Sequence, residues 1–346
     1  MARIVVAGAG AIGASIAYHL ALLGARDVVL CDRAEIASGA TGKAMGGFRQ
    51  QFSTEAEVQL ARASHALFAE LGPPLFEQVG YMFVATTKAG LAKLAERAAL
   101  QRSLGVPVEE VDPARIAGLR VDDVLGAYAC WQDGVAEPAE ITRELVGRAA
   151  ERGVEVREHT DARELTRDVL VIACGATSPE LWPELPVRAL CRQLVDVGPV
   201  AALPADLPMI IEEENGFHFR RRRDTLRLAM PEATARWTDR EEVDHDLVED
   251  KRARLAHRYP GAAGAPVVRA WAGLYDMTPD AHPIVGFVGD GVYAACGFSG
   301  HGFMQSPAVG RAVAEELLHG ESELDLSPYG LERFAGEAVF PETLVL

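Results

Sequence analysis

Hydrophobic positions fall into two rhythms along the chain. Residues 3–7 read as a strand buried on both faces, with Ile4 to Ala7 unbroken apolar; 11–24 follow with helical spacing closed by Gly24, and 27–32 give a second strand around the apolar Val28 to Cys31. Together they predict a βαβ unit of ordinary size. Small residues and glycine dominate 37–47, a loop by composition; helical spacing resumes over 54–71 until Pro73-Pro74 breaks it. Further along, the pattern predicts a strand over 80–86, a helix over 88–104, and a loop-rich stretch with short elements over 107–136. A helix from Pro138 to about Arg152 and strands over 154–159 and 169–173 follow. Between 188 and 230 the character changes to strands joined by turns, clearest at 216–220 and 225–230, which is antiparallel sheet and not more βαβ. A helix over 241–259, a strand over 267–275, a last strand over 291–295 and a helix over 305–319 complete the reading. The two kinds of sheet alternate along the sequence, so each domain is expected to be assembled from separated segments.

At 346 residues, two domains or one large α/β domain with an insertion are expected. The chain is 49% hydrophobic and 24% charged, a globular composition that excludes wholesale disorder. Acidic residues outnumber basic ones by 50 to 34, a formal charge of −16 that repels phosphate backbones and anionic membranes. Nucleic acid is therefore not an expected partner, and an anionic substrate needs a locally positive pocket. Arg220–Arg223, beside a hairpin turn, reads as a solvated edge. Cys31, Cys130, Cys174, Cys191 and Cys296 are scattered without a Cys-x-x-Cys, which argues against disulfides or a metal site and for buried thiols in a reducing compartment. The first residues enter a strand pattern directly and no uncharged apolar run is long enough for a bilayer, so no leader and no membrane span are expected, and the location expected is cytoplasmic.

Gly8-Ala9-Gly10-Ala11-Ile12-Gly13 joins the first strand to the first helix. Gly8 permits the tight turn, Gly10 lets backbone approach a pyrophosphate, Gly13 allows close helix–strand packing, and the helix N-terminus favours negative charge. Asp32 ends the second strand, placed for a ribose 2′-hydroxyl, and an acid there disfavours a 2′-phosphate. Dinucleotide binding is predicted. In an NAD dehydrogenase further βα units should follow directly; here a glycine-rich loop and a long helix come instead, which favours FAD.

Gly297-Phe298-Ser299-Gly300-His301-Gly302-Phe303 is a second glycine turn between strand and helix, suited to close approach of a ligand. A hydrolase elbow around Ser299 is disfavoured, because His301 stands where that motif needs glycine.

These residues resemble the D-amino-acid-oxidase-like superfamily of FAD-dependent oxidoreductases, most of all its sarcosine oxidase β-subunit and L-proline dehydrogenase branch. The likeness rests on 8–33, on 37–60 with Gly47-Phe48-Arg49-Gln50-Gln51-Phe52, on 271–286 with Trp-Ala-Gly-Leu-Tyr-Asp-Met-Thr-Pro-Asp, and on 297–310. It implies an α/β fold with a discontinuous Rossmann-like FAD-binding domain (1–78, 137–186 and 277–346) and a mostly antiparallel domain covering the flavin (79–136 and 187–276). It also implies FAD held by Gly10, Ala11 and Ile12 at the pyrophosphate and by Asp32 and Arg33 near the adenosine ribose. Thr41, Lys43, Met45, Gly46 and Gly47 would line its middle, Ala162, Ala173 and Gly175 its adenine side and dinucleotide, and Gly300, His301, Gly302, Phe303 and Met304 its isoalloxazine edge.

The chemistry implied is oxidation of the C–N bond of a small amino acid, with secondary amines such as proline or sarcosine ahead of glycine or primary D-amino acids. Arg49 matches the guanidinium that clamps the substrate carboxylate, Tyr275 a substrate-side aromatic, and His218 a further substrate contact or else a partly exposed sheet histidine. No side chain is assigned as a strong base. The family's flavin-tethering cysteine falls at Gly273, implying non-covalent FAD; its dioxygen-linked lysine falls near Arg227, and its second carboxylate-binding lysine at Met304. Dioxygen, a quinone or a partner redox subunit are the acceptors implied, with homo- and hetero-oligomers both open. The rivals are an NAD-dependent dehydrogenase, a non-catalytic flavoprotein subunit or assembly factor, and a tRNA-modification oxidase domain, the last disfavoured by the negative charge.

Overall fold

A computed structural model describes residues 2–336 and 341–342. Its first sheet has six strands in the spatial order Ile284–Gly289, Val292–Cys296, Val169–Ile172, Ile4–Ala7, Val28–Cys31 and Glu155–Arg157. All neighbours are parallel except the first two strands, which pair as an antiparallel hairpin. Ile4–Ala7 is buried on both faces, which is why it reads as an uninterrupted apolar run. Helix Ala11–Leu22 lies against it and packs on helices Pro138–Glu151 and Gly302–His319. The crossing with the latter is close, since a side chain at Gly310 would overlap Ser15.

The second sheet has eight strands, ordered Val267–Met277, Arg188–Val197, Thr225–Ala229, His218–Arg222, Met209–Glu212, Tyr81–Ala85, Gly126–Cys130 and Glu109–Val111. It is antiparallel apart from the pair Met209–Glu212 and Tyr81–Ala85. Helix Lys88–Ser103 covers Tyr81–Ala85 and Gly126–Cys130, while helix His245–Arg258 lies against Arg188–Val197 and Thr225–Ala229. Thr87 and Asp244 cap these two helices by accepting from Gly90 N and Asp246 N, each at 3.0 Å.

Three features depart from the sequence reading. Ile284–Gly289, to which the sequence pattern assigns no element, is a strand because its partner Val292–Cys296 supplies the ladder. Gly47–Phe48, Phe76–Glu77 and Gly134–Ala136 form a small third sheet too short to show any periodicity. Finally, Arg220 is not on a solvated edge. Its strand is interior to the eight-stranded sheet, and the buried guanidinium donates to Met45 O at 2.6 Å, Ala136 O at 3.1 Å and Glu137 Oε1 at 2.9 Å. Although burial opposes ionisation, Arg220 and Arg222 hold Glu137 down at about 2. All five cysteines are free, and four are buried. Among the described residues no helix is long and apolar enough to cross a membrane.

Candidate active site

One cavity of about 480 Å³ runs from the carboxyl ends of the parallel strands to the face of the eight-stranded sheet, within the range of ligand sites. At its parallel end, Gly8 adopts φ 102°, and a Cβ there would overlap the carbonyl of Ala173, so only glycine lets these two strand ends approach. Helix Ala11–Leu22 starts at Gly10 without a side-chain cap, and Ala11 N donates to Thr41 Oγ1 at 3.0 Å. Asp32 accepts from Ala9 N at 2.7 Å and Ala34 N at 2.9 Å, tying the first turn to the second strand while its remaining lone pairs stay available to a hydroxyl. Arg33 pairs with Glu180 at 2.7 Å on the rim.

The second glycine turn comes to the same cavity. Gly300 adopts φ 90° and lies so close to Tyr275 that a Cβ would overlap the ring. Helix Gly302–His319 starts here, again without a side-chain cap, so two helix N-termini converge on one cavity. Asp276 anchors the turn: its Oδ2 accepts from Gly297 N at 2.8 Å and Phe298 N at 3.1 Å, and burial lifts its pKa to about 6. Ser299 is fully buried, its hydroxyl accepting from Thr278 N at 3.3 Å, which removes the nucleophile reading.

Arg49 is 1% exposed and lies in the cavity wall. Its guanidinium donates to Gln51 O, lies 3.4 Å from His301 Nε2, and stacks 4.0 Å from the Phe52 ring centre. Burial pushes its pKa below the ordinary value, the mark of a desolvated cation. The segment carrying it is fixed by Asp133, which accepts from Gln50 N at 3.0 Å and Gln51 Nε2 at 3.0 Å.

His218 is 4% exposed and faces the cavity, so the partly exposed alternative is overturned: its strand is central and covered. Nδ1 lies 2.8 Å from Gly216 O, which requires the proton on Nδ1 and leaves Nε2 as acceptor. Burial first, then the charges of Arg49, Lys251 and Arg192, lower its pKa to about 4.

The cofactor fit follows from these groups. Two uncapped helix ends, glycines that admit no side chain and an acid at the neighbouring strand end suit a dinucleotide whose phosphates lie at the first turn. Residues 3–316 match the DAO family, described as FAD dependent oxidoreductase.

The chain belongs to the DAO family of FAD-dependent oxidoreductases. It is 27% identical over 377 residues to the glycine oxidase of Geobacillus kaustophilus (strain HTA426), covering 96% of this chain and 97% of that enzyme. Mitochondrial sarcosine dehydrogenase of Mus musculus is 25% identical over 380 residues, a match covering 96% of this chain; the chain spans 41% of that relative's length. The crystal structure of L-proline dehydrogenase from P. horikoshii superposes with a TM-score of 0.90 at 26% identity, covering 96% of this chain and 98% of that one. As a DAO-family member the protein is an enzyme with FAD as cofactor.

Of the residues that the sequence assigns to cofactor or substrate, Gly13 alone is absent from the cavity wall. A Cβ at Gly13 would overlap the carbonyl of Gly8, so this glycine seats the DAO-family helix on its strand and leaves ligand contact to its neighbours. Arg227 also lies off the wall, paired with Asp196 at 2.9 and 3.1 Å and donating to Ala44 O at 3.2 Å. The wall includes residues that sequence reasoning missed: Tyr81, Met209, Arg192, Leu194, Asp276 and Glu241. Arg192 carried one signal, a charged residue inside an apolar strand run, two positions before Leu194 and on the same face.

Proposed function

We propose that this protein oxidises the C–N bond of a small amino acid, a secondary amine such as proline or sarcosine being favoured. The observation that carries the reading is the buried Arg49 guanidinium 3.4 Å from His301, a carboxylate clamp beside the second glycine turn. FAD held there without a covalent link would supply the hydride acceptor for oxidation of the substrate C–N bond to an imine, which water would hydrolyse. Arg49 grips the carboxylate with its planar donor set. His218, neutral with Nε2 as acceptor, takes a hydrogen bond from the substrate nitrogen. Tyr275, packed directly on the turn at Gly300, offers its cavity side to the substrate. Gly8, Gly10, Ala11 and Ile12 hold the pyrophosphate, Asp32 and Arg33 the ribose side, Thr41 to Gly47 the middle, and Gly300 to Met304 the isoalloxazine edge. Residues 1–78, 137–186 and 277–346 form the FAD domain, 79–136 and 187–276 the substrate domain. A quinone or a partner redox subunit is favoured over dioxygen as acceptor, because Arg227 spends its charge on Asp196 away from the cavity. The free thiols support a cytoplasmic setting.

The test is an anaerobic screen of the purified holoenzyme with proline, sarcosine, glycine, D-amino acids and dicarboxylic amines such as iminodiacetate, following loss of the yellow absorbance. Bleaching by a secondary amine supports the reading; bleaching by glycine or D-amino acids alone moves the substrate; no bleaching by any of them refutes amino-acid oxidation as the activity.

A further inference from the structure

Arg192 stands on strand Arg188–Val197 directly opposite Gly273, on the cavity side. The space over Gly273 is taken by the Lys43 side chain, and the central carbon of the Arg192 guanidinium sits 5.8 Å from the Tyr275 ring centre. Nη1 donates to Glu232 Oε2 at 2.7 Å, while Nε is buried with no hydrogen-bond partner. Glu232 in turn lies 3.7 Å from the amino group of Lys251, whose side chain is wholly buried. Two cations thus share one carboxylate, and the cluster keeps one positive charge in excess. Arg192 is its only member in the cavity wall. Arg49 lines the same cavity, together with Tyr275 and His218. In a protein with net charge −16, two guanidinium groups at one substrate cavity mark a site for more than one negative charge.

We propose that the substrate of this enzyme carries two acidic groups, Arg49 taking the α-carboxylate and Arg192 a second carboxylate on the side chain or on the nitrogen substituent. This rests on the amino-acid reading above and narrows it from monocarboxylic amines such as proline or sarcosine to amino acids with a second carboxylate; it makes Arg192 the residue that sets specificity. The donor available is the edge of Arg192 not held by Glu232. Glu232 and Lys251 are positioning residues that fix its plane and sustain its charge.

Two ligands of equal carbon count separate the idea from its alternatives. Succinate and butyrate are titrated into the holoenzyme, and binding is read from the perturbed visible spectrum of the flavin, without turnover. Succinate is expected to bind about tenfold tighter or more, the worth of one charge-assisted hydrogen bond. Arg192→Met should bring the ratio near one, and Arg192→Lys, which retains the charge, should recover part of it. Equal binding of the two ligands by the wild type, or a ratio unchanged in Arg192→Met, overturns the inference. So does an equal loss for both ligands, which would assign Arg192 to the shared carboxylate. The two readings fail separately: amino acids that bleach the flavin with a ratio of one remove this inference alone, whereas a high ratio with no bleaching amino acid removes the proposed activity and leaves the paired anion site.

Discussion

Glu57 Oε1 and His282 Nδ1 lie 2.7 Å apart with both side chains wholly buried. Glu57 belongs to helix Glu55–Leu71 and His282 to the turn before Ile284–Gly289, and the other carboxylate oxygen of Glu57 accepts from Gln305 near the start of helix Gly302–His319. Burial raises the pKa of Glu57, and the hydrogen bond from His282 works against that rise. One carboxylate therefore ties three segments behind the second glycine turn. Removing His282 would leave that carboxylate short of its partner. His282→Ala is expected to cost about 3 kcal/mol or more, read as a lower midpoint in urea. Glu57→Gln, which stays neutral and retains one donor and one acceptor, is expected to cost less.

Gly13 gives a second prediction. A methyl group there meets the Gly8 carbonyl, so Gly13→Ala must push the helix off its strand. The protein should purify with most of its yellow colour gone and with stability reduced by about 1–3 kcal/mol. Retention of full flavin absorbance would show that the cradle tolerates the shift.

For Arg49 the expected loss concerns the substrate carboxylate. Arg49→Met should lower kcat/KM for the bleaching amino acid by about a hundredfold, while an amine lacking the carboxylate changes far less. Equal losses for both compounds would assign Arg49 to the fold.

His218 sets a pH dependence. Its folded pKa, about 4, lies below the ordinary 6.5, so its contribution to stability is complete above pH 6.5 and is lost as pH falls towards 4. His218→Asn should flatten this part of the curve, by up to about 3 kcal/mol between those limits. Denaturant midpoints at pH 4.5 and 7 for both proteins measure it; parallel slopes would show that His218 does not titrate there.

Arg227 bears on the acceptor. With its charge held by Asp196 outside the cavity, reduced enzyme should reoxidise slowly in air and much faster with a soluble quinone. Stopped-flow mixing distinguishes the two, and rapid reoxidation by dioxygen would contradict the expectation.

The two glycine turns that meet at the cavity were legible because each lies within a few consecutive residues and its chemistry is local: Gly8 and Gly300 need no distant partner to be recognised. The substrate half was less so. Arg192, Tyr81 and Met209 lie on strands that the apolar pattern detects, but which face meets the cavity depends on neighbours far away in sequence. Arg220 shows the same limit: it resembles any surface arginine until Glu137 and the carbonyls of Met45 and Ala136 close around it. Ile284–Gly289 was missed because its pairing partner, and not its own composition, makes it a strand.

The two turns stand at nearly opposite ends of the chain, yet Gly8 and Met304 share one wall. A nascent chain halted before residue 304 has no finished prosthetic-group site, however well its first βα unit has formed. Completion of the site must therefore wait until residue 304 has left the ribosome, and neither half of the chain holds both glycine motifs by itself.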